Sequence, residues 1–546
     1  MRFIRLAALL AVTATIGRAQ TAPLMKVLIA PGAMDEAVND GDVRITITVP
    51  GIDAAAGAPL FSVPASADLT VTDASGPVDG AADPGGQRKW KASRAVKGDL
   101  VIKYRVHVHN TPTNGGIPPL GPRIDGHGFS AAGLTFLAIP EVTTPYRILI
   151  DWDLSAMGAG ATAVSSFGDG TVEVPAGPPV RLRLAAFMAG PISREPAAPQ
   201  RTGFAAVWTG DPGFDLRPPM QWTSKLHAWM NSFFQTANDR PYHVFLRFNP
   251  ANAGGGVAFP NSFVVTYGAG VTGESMKHIL PHEMTHTWTA NDLGKWYDEG
   301  SAVYYQALLP WRAGLITTEQ YLDDINKTAS RYYTNAEIDA PEAKIIPNFF
   351  SNMWLNTLAY DRGALYFAAL NGKLRRASGG KRSIDDLIRA MVHKARAGEA
   401  IAEDTWVTLL QKEIGDDAVA LHRSMMQGGI VRPESDDYGP CFQREIKKVR
   451  RYELGFNPKS MPDGKKQVEG LVEGSEAAKA GLKNGDIVTY PVITTEGVRR
   501  DPDATITMQV FRESGNTTIT FLPRGVALDI PQWKRAPGIS DAACKN

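Results

Sequence analysis

Hydrophobic and polar residues alternate with a period of two in many short runs between residue 20 and about residue 200. Val43–Val49 and Leu100–Val106 are two such runs, and turn-rich stretches such as Pro84-Gly85-Gly86 separate them. Because successive side chains of a β-strand point to opposite faces, this alternation predicts strands that are buried on one side. We therefore expect an N-terminal β-domain over residues 20–200.

The pattern changes to helical spacing from about residue 203 to residue 435. Apolar residues recur there at three- and four-residue intervals, which predicts helices at Leu226–Phe234, Met276–Ala290, Gly300–Trp311, Thr318–Tyr333 and Ile384–Ala397. One predicted strand, Asn261–Tyr267, precedes the second helix. Residues 440–530 return to short strands around one helical piece, Ala477–Leu482. The chain is thus predicted to be a multidomain α+β protein, with a mainly helical part between two β-rich parts.

Composition supports a globular chain of several domains. Its 546 residues are too many for one ordinary domain, 44% of them are hydrophobic, and 57 lysine and arginine residues balance 56 aspartate and glutamate residues. That balance offers no net charge to attract nucleic acid, so we expect no nucleic-acid partner. Two cysteines, Cys441 and Cys544, are too few for a disulfide framework and lack the spacing of a cysteine zinc site. The sequence leaves it undecided whether the two cysteines form one disulfide in an oxidising compartment.

Residues 1–19 have the layout of a cleavable secretory signal. Arg2 and Arg5 precede an apolar run, Leu6–Ile16, and small residues follow it. The run holds about 11 residues, which are too few to span a bilayer as a helix. We therefore expect an exported protein, periplasmic or secreted, with no membrane span in the mature chain.

The strongest chemical signal is the motif His282-Glu283-Met284-Thr285-His286. Two histidines four positions apart lie on one face of a helix, where both imidazole rings can bind the same metal ion. Glu283 lies beside the first histidine, offset from the metal but able to reach a metal-bound water molecule as its general base. The motif therefore predicts a metal site that activates water.

A catalytic zinc site needs a third protein ligand and leaves a fourth position open for water. Two residues are candidates: Asp292, six positions after His286, and Glu299, which a second helix would carry back to the metal after a turn at residues 291–294. We favour Glu299, because the interpretation with Asp292 needs a turn glycine where Thr289 stands. The predicted metal ligands are therefore His282, His286 and Glu299.

His278 lies one helical turn before His282 and is a further candidate ligand. Pro281 is expected to disturb the backbone between the two, and four protein ligands would close the site to water. We therefore expect His278 beside the ligands or at the surface. The predicted cofactor is one zinc ion per chain, although manganese or cobalt would fit the same ligands.

These residues, with the run Asp298-Glu299-Gly300-Ser301-Ala302-Val303-Tyr304-Tyr305, resemble the gluzincin metallopeptidases and are most similar to the M61 glycyl aminopeptidase family. The likeness continues at Leu308–Thr317, Tyr360–Leu365 and Gly379–Leu387. The resemblance implies an N-terminal β-domain at 20–200, a thermolysin-like catalytic domain at 203–435 and a C-terminal PDZ domain at 440–530. It also implies an exported zinc metallopeptidase with aminopeptidase-like action on a peptide or protein substrate.

The resemblance assigns further roles in the active site. Tyr360 takes the position of a tyrosine that stabilises the oxyanion, which suits a phenol donor aimed at developing negative charge. Gly255 and Gly256 fall in the family's substrate-binding stretch, in which Ala258 stands where a glutamate would bind the free amino group of the substrate. The strand from Asn261 is expected to present backbone groups to an extended peptide. With Ala258 in that place, a zinc endopeptidase on the same scaffold stays open as an alternative.

Residues Val472–Asp486 resemble the core of a bacterial PDZ domain. Upstream, Leu454, Gly455 and Phe456 resemble the loop whose backbone amides receive the C-terminal carboxylate of a peptide. PDZ domains bind extended peptides by adding a strand to a sheet edge, so the module implies a peptide C-terminus as a partner. Two alternatives stay open: the module only packs against the catalytic domain, or the whole chain is a non-catalytic peptide-binding protein with a structural metal site. The intact Glu283 argues against the latter.

Overall fold

The computed structural model describes residues 22–84, 88–110, 120–249, 253–268, 270–291, 293–461, 466–489, 498, 501–541 and 544. The predicted signal segment 1–19 and the candidate ligand Asp292 lie outside these ranges. Within them, no helix is long and apolar enough to cross a membrane. Buried apolar side chains form separate clusters in the N-terminal, central and C-terminal parts, in the order that the sequence patterns indicate.

The N-terminal part is built mainly from strands. They are β1 (Leu24–Pro31), β2 (Gly41–Ala54), β3 (Pro59–Ser62), β4 (Ala67–Asp73), β5 (Gly76–Pro77), β6 (Gly80–Ala82), β7 (Lys89–Ala92), β8 (Val96–Val108), β9 (Arg123–Asp125), β10 (Gly128–Ala132), β11 (Tyr146–Trp152), β12 (Thr162–Ser165), β13 (Gly168–Asp169), β14 (Val172–Gly177) and β15 (Ala186–Gly190). A short helix, α1 (Gly133–Phe136), and a 3-10 helix (Pro179–Leu184) interrupt them.

These strands form three sheets. A seven-stranded sheet has the order β14-β11-β1-β2-β8-β4-β5, a five-stranded sheet has the order β13-β12-β15-β10-β9, and a small sheet has the order β3-β7-β6. Along β2 and β8 nearly every second side chain is buried, because one face of the sheet covers the core. This is the period-two pattern that the sequence shows.

The central part begins with a mixed five-stranded sheet. Its strands are β16 (Ser193–Glu195), β17 (Gly203–Trp208), β18 (Pro241–Phe248), β19 (Gly256–Phe259) and β20 (Ser262–Tyr267). Their order is β16-β17-β18-β20-β19, in which β17, β18 and β20 are parallel and β19 is an antiparallel edge strand. A two-residue turn joins β19 to β20, and Asn261 adopts a φ of 53° in it. The predicted strand is thus present, but in the interior of the sheet.

Helices fill the rest of the central part. They are α2 (Arg217–Phe233), α3 (Gly273–Thr289), α4 (Lys295–Arg312), α5 (Thr318–Tyr333), α6 (Glu342–Asn348), α7 (Met353–Ala377), α8 (Ile384–Arg396), α9 (Glu403–Glu413) and α10 (Asp416–Met426). The five predicted helices correspond to α2, α3, α4, α5 and α8. The longest of the described helices, α7, has no counterpart among the predictions.

Helices α4 and α7 cross with their backbones in contact. A Cβ atom on Gly300 would lie 2.5 Å from the Cα atom of Gly363, and a Cβ atom on Gly363 would lie 2.1 Å from the carbonyl oxygen of Trp296. Only glycine allows such a close approach. The crossing brings Glu299, next to Gly300, close to Tyr360, one turn before Gly363.

The C-terminal part consists of a two-stranded ribbon and a small sheet. The ribbon pairs β21 (Phe442–Tyr452) with β27 (Arg524–Arg535). The strands of the antiparallel sheet lie in chain order: β22 (Asn457–Ser460), β23 (Lys466–Glu469), β24 (Ile487–Thr489), β25 (Ile506–Phe511) and β26 (Thr517–Phe521). The short helix α11 (Glu476–Lys479) lies between β23 and β24 in the sequence. A disulfide joins Cys441 to Cys544. Both cysteines are buried in the core of the central helices. The disulfide that the sequence alone did not decide is therefore present, at the base of the ribbon.

Candidate active site

Helices α3 and α4 bring together the three residues predicted to bind a metal. His282 and His286 lie one turn apart on α3, and Glu299 lies in the second turn of α4, after a connection that ends at Gly294 with a φ of 111°. Oε2 of Glu299 is 3.6 Å from Nε2 of His282 and 3.5 Å from Nε2 of His286. The structure thus places the candidate ligand Glu299 beside both histidines. The other candidate, Asp292, lies outside the described residues.

The three ligand atoms have the spacing of a tetrahedral metal site. One atom each from His282, His286 and Glu299 lies within 4.8 Å of the other two. Two ligands that are each about 2.1 Å from a tetrahedral ion are about 3.4 Å apart, which matches the two histidine–carboxylate separations. Two imidazoles and one carboxylate also form the ligand set of many catalytic zinc sites, with the fourth position open. The residues present therefore fit a zinc ion.

Side chains behind the histidines determine which ring nitrogen faces the cluster. Nδ1 of His286 donates a hydrogen bond to Oδ1 of Asp298 at 2.8 Å, because an ionised carboxylate only accepts. Nδ1 of His282 lies 3.2 Å from Oε1 of Gln306, whose amide nitrogen donates to Asp324. Nε2 is therefore the nitrogen of each ring that faces the cluster and can bind a metal ion, as in histidine ligands whose other nitrogen is hydrogen-bonded.

Glu299 is held in its ionised form. Burial on its own would raise the pKa of this carboxyl, but contacts with the rings of His282 and His286 lower its pKa well below the ordinary value. Nζ of Lys295 donates to the second oxygen of the carboxylate, Oε1, at 3.0 Å, and to Oδ2 of Asp298 at 3.1 Å. Because the lysine engages Oε1, Oε2 is the oxygen left to face the histidines.

Glu283 is buried beside the cluster, with 6% of its surface exposed. Burial raises the pKa of this carboxyl above its ordinary value, while the neighbouring His282 and His286 oppose the rise. A carboxylate with a raised pKa is a stronger base than one exposed to water. The position and the environment of Glu283 therefore suit proton transfer at the cluster.

The backbone of β19 lies against Glu283 at Gly256. A Cβ atom on Gly256 would be 2.4 Å from Cγ and 2.5 Å from Oε1 of Glu283. Because side chains alternate along a strand, Ala258 shares the face of β19 that looks towards α3. Val257 points to the opposite face, where it packs on a separate apolar cluster. Gly256 is thus the point at which the strand and the buried carboxylate touch.

If the site hydrolyses peptides, as the resemblance implies, replacing Gly256 with alanine is expected to lower kcat/KM by about a hundredfold, because the added methyl group would displace the Glu283 carboxyl by about 1 Å. The matched control is Gly121→Ala, since a methyl group there meets no atom within 4 Å. Both variants are assayed at equal metal content. An unchanged kcat/KM in Gly256→Ala would contradict the contact between the strand and Glu283.

Strand β20 does not offer its backbone to a peptide, which corrects the prediction for the strand from Asn261. Both edges of Ser262–Tyr267 are paired, one with β18 and one with β19. The outer edge of β19 has no pairing partner among the described residues, so the free edge beside the cluster is that of Gly256–Phe259, with Gly255 just before it. Asn261 lies in the hairpin turn, and the far end of β19 is about 10 Å along the strand from Gly256. The structure therefore does not bring Asn261 to the cluster.

The structure places Tyr360 against the cluster. Its ring stacks on the ring of His282, with centroids 5.8 Å apart and planes 16° from parallel. Phe349 stacks in turn on Tyr360. Tyr360 thus occupies the neighbourhood that the family resemblance implies, on a helix that sequence patterns did not predict.

Four residues around the ligands were not predicted from the sequence: Lys295, Asp298, Gln306 and Asp324. Lys295 lies four positions before Glu299 on α4, and Gln306 lies seven positions after it. Helical spacing puts these positions on one face, so this signal in the sequence would have found two of the four. Asp324 belongs to α5, and its contact with Gln306 depends on the packing of two helices.

His278 lies beside the ligands and not among them, as expected. Its Nε2 atom is 3.4 Å from Oδ1 of Asp324. The prediction that Pro281 disturbs the backbone is wrong, because α3 runs without interruption from Gly273 to Thr289 with Pro281 inside it. A proline removes one donor from a helix, and the turns on either side keep α3 intact.

The predicted PDZ residues connect β21 to β22 in the C-terminal part. Gly455 adopts a φ of 83°, and its carbonyl oxygen accepts a hydrogen bond from the N–H group of Val472 at 2.8 Å. Phe456 is buried in the small core, and Leu454 packs against it. Strand β22 follows at the edge of the sheet, and its outer side is unpaired within the part of the chain that the structure describes.

The fold is shared with a solved protein structure. The chain is similar to an aminopeptidase N family protein from Idiomarina loihiensis at 15% sequence identity, over 95% of this chain and 99% of that chain, with a TM-score of 0.66. It is also similar to an M1 zinc metallopeptidase from Deinococcus radiodurans at 15% identity, over 76% of this chain and 95% of that chain, with a TM-score of 0.49. The first similarity confirms an N-terminal β-rich part joined to a helical part. No curated protein matches the sequence.

The sequence around the cluster is similar to a family of peptidases. Residues 275–342 match the M61 glycyl aminopeptidase family. This segment contains His282, Glu283, His286 and Glu299. The predicted resemblance to this family is therefore confirmed over residues 275–342.

Proposed function

We propose that this protein is a zinc-dependent metallopeptidase that hydrolyses peptide bonds with aminopeptidase-like action. The observation that carries the proposal is the convergence of Nε2 of His282, Nε2 of His286 and Oε2 of Glu299 beside the buried Glu283. A purely structural metal site is closed by four protein ligands and needs no base. Three ligands with an adjacent carboxylate favour catalysis.

His282, His286 and Glu299 would hold a zinc ion, which would supply a polarised water molecule and a Lewis acid for the scissile carbonyl. Glu283 takes a proton from the attacking water on its carboxylate and passes it to the amine that leaves. The hydroxyl of Tyr360 donates a hydrogen bond to the carbonyl oxygen as that oxygen gains negative charge. The free edge of β19 pairs with the extended backbone of the substrate, as strand addition requires.

Ala258 favours a second candidate, a zinc endopeptidase on the same scaffold. Ala258 lies on the face of β19 that looks towards α3, where the family resemblance expects a glutamate to pair with the α-ammonium group of the substrate. A methyl group makes no such pair. An enzyme that lacks this carboxylate does not recognise the N-terminus of its substrate, unless another carboxylate binds the amine.

Matched peptides with free and acetylated N-termini test the proposal and separate the two candidates. Aminopeptidase-like action predicts that the zinc-loaded protein cleaves the free-amine peptide with a kcat/KM at least about tenfold higher, because a carboxylate that binds the ammonium group would contribute about 1.5–3 kcal/mol. Equal cleavage of both peptides would identify an endopeptidase. Cleavage of neither peptide, with zinc bound, would contradict the peptidase proposal and favour a peptide-binding protein.

We further propose that residues 440–530 form a PDZ domain that binds the C-terminus of a peptide. The support is the left-handed Gly455 two residues before β22, whose outer edge is open among the described residues. The alternative is that the module only packs against the catalytic part, where Trp354 of α7 contacts its core. Binding of a labelled peptide with a free C-terminus, but not of its amidated form, would support the PDZ proposal.

We also propose, from residues 1–19, that the protein is exported to the periplasm or secreted. The charged start, the short apolar run and the small residues after it are the support. Cell fractionation and N-terminal sequencing check this proposal: a chain in the exported fraction that begins near residue 20 would support it, and a protein found only in the cytoplasm would contradict it.

A further inference from the structure

The two histidines of the cluster are supported by different chemical groups. Nδ1 of His286 faces a carboxylate, with Oδ1 of Asp298 at 2.8 Å. Because an ionised carboxylate only accepts hydrogen bonds, this contact keeps a proton on Nδ1. Nδ1 of His282 faces an amide, with Oε1 of Gln306 at 3.2 Å. An amide accepts through its oxygen and donates through its nitrogen, so the type of side chain does not decide where the proton of His282 lies.

The orientation of the Gln306 amide matters for metal binding. With its oxygen towards His282, Nδ1 carries a proton, and Nε2, which lies 3.6 Å from Oε2 of Glu299, is the nitrogen that can bind the metal. If the amide turned over, its NH2 group would need Nδ1 as an acceptor, and the proton of the neutral ring would move to Nε2. A nitrogen must lose its proton before it binds a metal ion. The cluster therefore needs a group that holds the amide in one orientation.

The side chain of Asp324 on α5 holds the amide in this way. Nε2 of Gln306 donates to Oδ1 of Asp324 at 3.0 Å and to Oδ2 at 3.2 Å. The amide oxygen could not take this place, because it and the carboxylate would both be acceptors with no proton between them. Gln306 is only 3% exposed, so the amide meets these protein groups rather than bulk water. Its oxygen is thereby directed at His282.

This role requires an ionised Asp324. Burial raises the pKa of Asp324 to about 6, while the hydrogen bond from Gln306 and the positive charge of Arg331 oppose the rise. The side chain of Asp324 keeps 12% of its surface exposed, and Nε2 of His278 lies 3.4 Å from its Oδ1. A carboxyl with this pKa is ionised at about pH 8 and binds the NH2 group of Gln306 in that form.

We propose that Asp324 is a positioning residue of the metal site, which fixes the amide of Gln306 and through it the proton of His282. The three side chains come from three helices: His282 from α3, Gln306 from α4 and Asp324 from α5. The inference rests on the metal-binding part of the proposed function and does not depend on which bond the protein cleaves. Partners behind a metal ligand contribute about 10–100-fold to metal affinity, so the effect can be measured without a substrate.

Asp324→Asn tests the inference through the dissociation constant of zinc, measured by competition with a chromophoric chelator at about pH 8. Asparagine offers one oxygen and one NH2 group in place of two oxygens, so the amide of Gln306 can then take either orientation. The dissociation constant is expected to rise about tenfold. The matched control is Asp323→Asn, since this neighbouring carboxylate is 60% exposed and pairs with Lys327. The control should leave the dissociation constant unchanged.

The double variant Gln306→Glu, Asp324→Asn separates hydrogen-bond direction from packing. It exchanges the amide and the carboxylate and keeps the single negative charge of the pair. The carboxylate that then faces Nδ1 of His282 only accepts, and the amide at position 324 donates to it. The dissociation constant of zinc should return to within about threefold of the wild-type value. A side chain that only fills space between α4 and α5 would not produce this rescue.

The possible results separate this inference from the proposed function. An unchanged dissociation constant in Asp324→Asn would overturn the inference and leave the peptidase proposal standing. A weakened affinity that the double variant does not restore would also overturn it, and would show that Asp324 only packs α5 against α4. A wild-type protein that binds zinc and cleaves no peptide would refute the peptidase alone, whereas one that binds no zinc would refute both.

Discussion

Replacing Glu283 with glutamine is expected to lower kcat for peptide hydrolysis by about a thousandfold and to leave one zinc ion bound per chain. Glutamine keeps the shape of the side chain but cannot take a proton from water, and general-base catalysis contributes about 10²–10⁴-fold. The metal should stay because the substitution leaves His282, His286 and Glu299 untouched. Steady-state kinetics with a cleaved peptide and elemental analysis of the purified protein measure the two quantities.

Glu274→Gln is the matched control for this substitution. Glu274 lies in the first turn of the same helix, α3, and its contact is an exposed ion pair with Lys277 at 2.7 Å. This variant is expected to keep the wild-type kcat, because surface ion pairs contribute little. Full activity in Glu283→Gln would refute the mechanism, and loss of zinc from it would assign Glu283 to metal binding instead.

The cluster could be predicted from the sequence because its spacing is local. His282 and His286 need one helical turn, and Glu299 needs only a following helix that folds back. The structure ends α3 at Thr289 and begins α4 at Lys295, which brackets the turn predicted at residues 291–294. Lys295 obeys the same helical spacing but was not predicted, because a lysine on a helix face is most often a solvated surface residue.

Helix α7 could not be predicted, because it is buried on nearly every side. All ten residues from Asp361 to Leu370 are buried, so the helix lacks the alternation of apolar and polar faces that marks an amphipathic helix. Since α7 carries Tyr360, only the family resemblance, and not a helical pattern, pointed to the residue that stacks on His282. The interior place of β20 was missed for a related reason, since it depends on pairing with β18, which lies earlier in the chain.

Breaking the Cys441–Cys544 disulfide is expected to lower the free energy of unfolding of the helical core by about 4 kcal/mol. The bond spans a sequence separation of 103 residues, and a cross-link that closes a loop of about 100 residues contributes about 4.7 kcal/mol in the chain-entropy model. Guanidinium unfolding of the double variant Cys441→Ala, Cys544→Ala, followed by tryptophan fluorescence, measures the change. Reduction of the wild-type protein should reproduce the same shift, which controls for the cost of the alanine side chains.

The position of the disulfide also predicts which part of the molecule loses stability. The bond lies at the base of the ribbon, where β21 begins and β27 ends, and the N–H group of Trp533 in β27 donates to Oδ1 of Asn326 on α5 at 2.7 Å. The five-stranded sheet lies at the opposite end of the ribbon and has its own core. Its unfolding transition should therefore stay at the same denaturant concentration while that of the helical core moves. A shift below about 1 kcal/mol in both the reduced protein and the double variant would mean that packing alone anchors the ribbon.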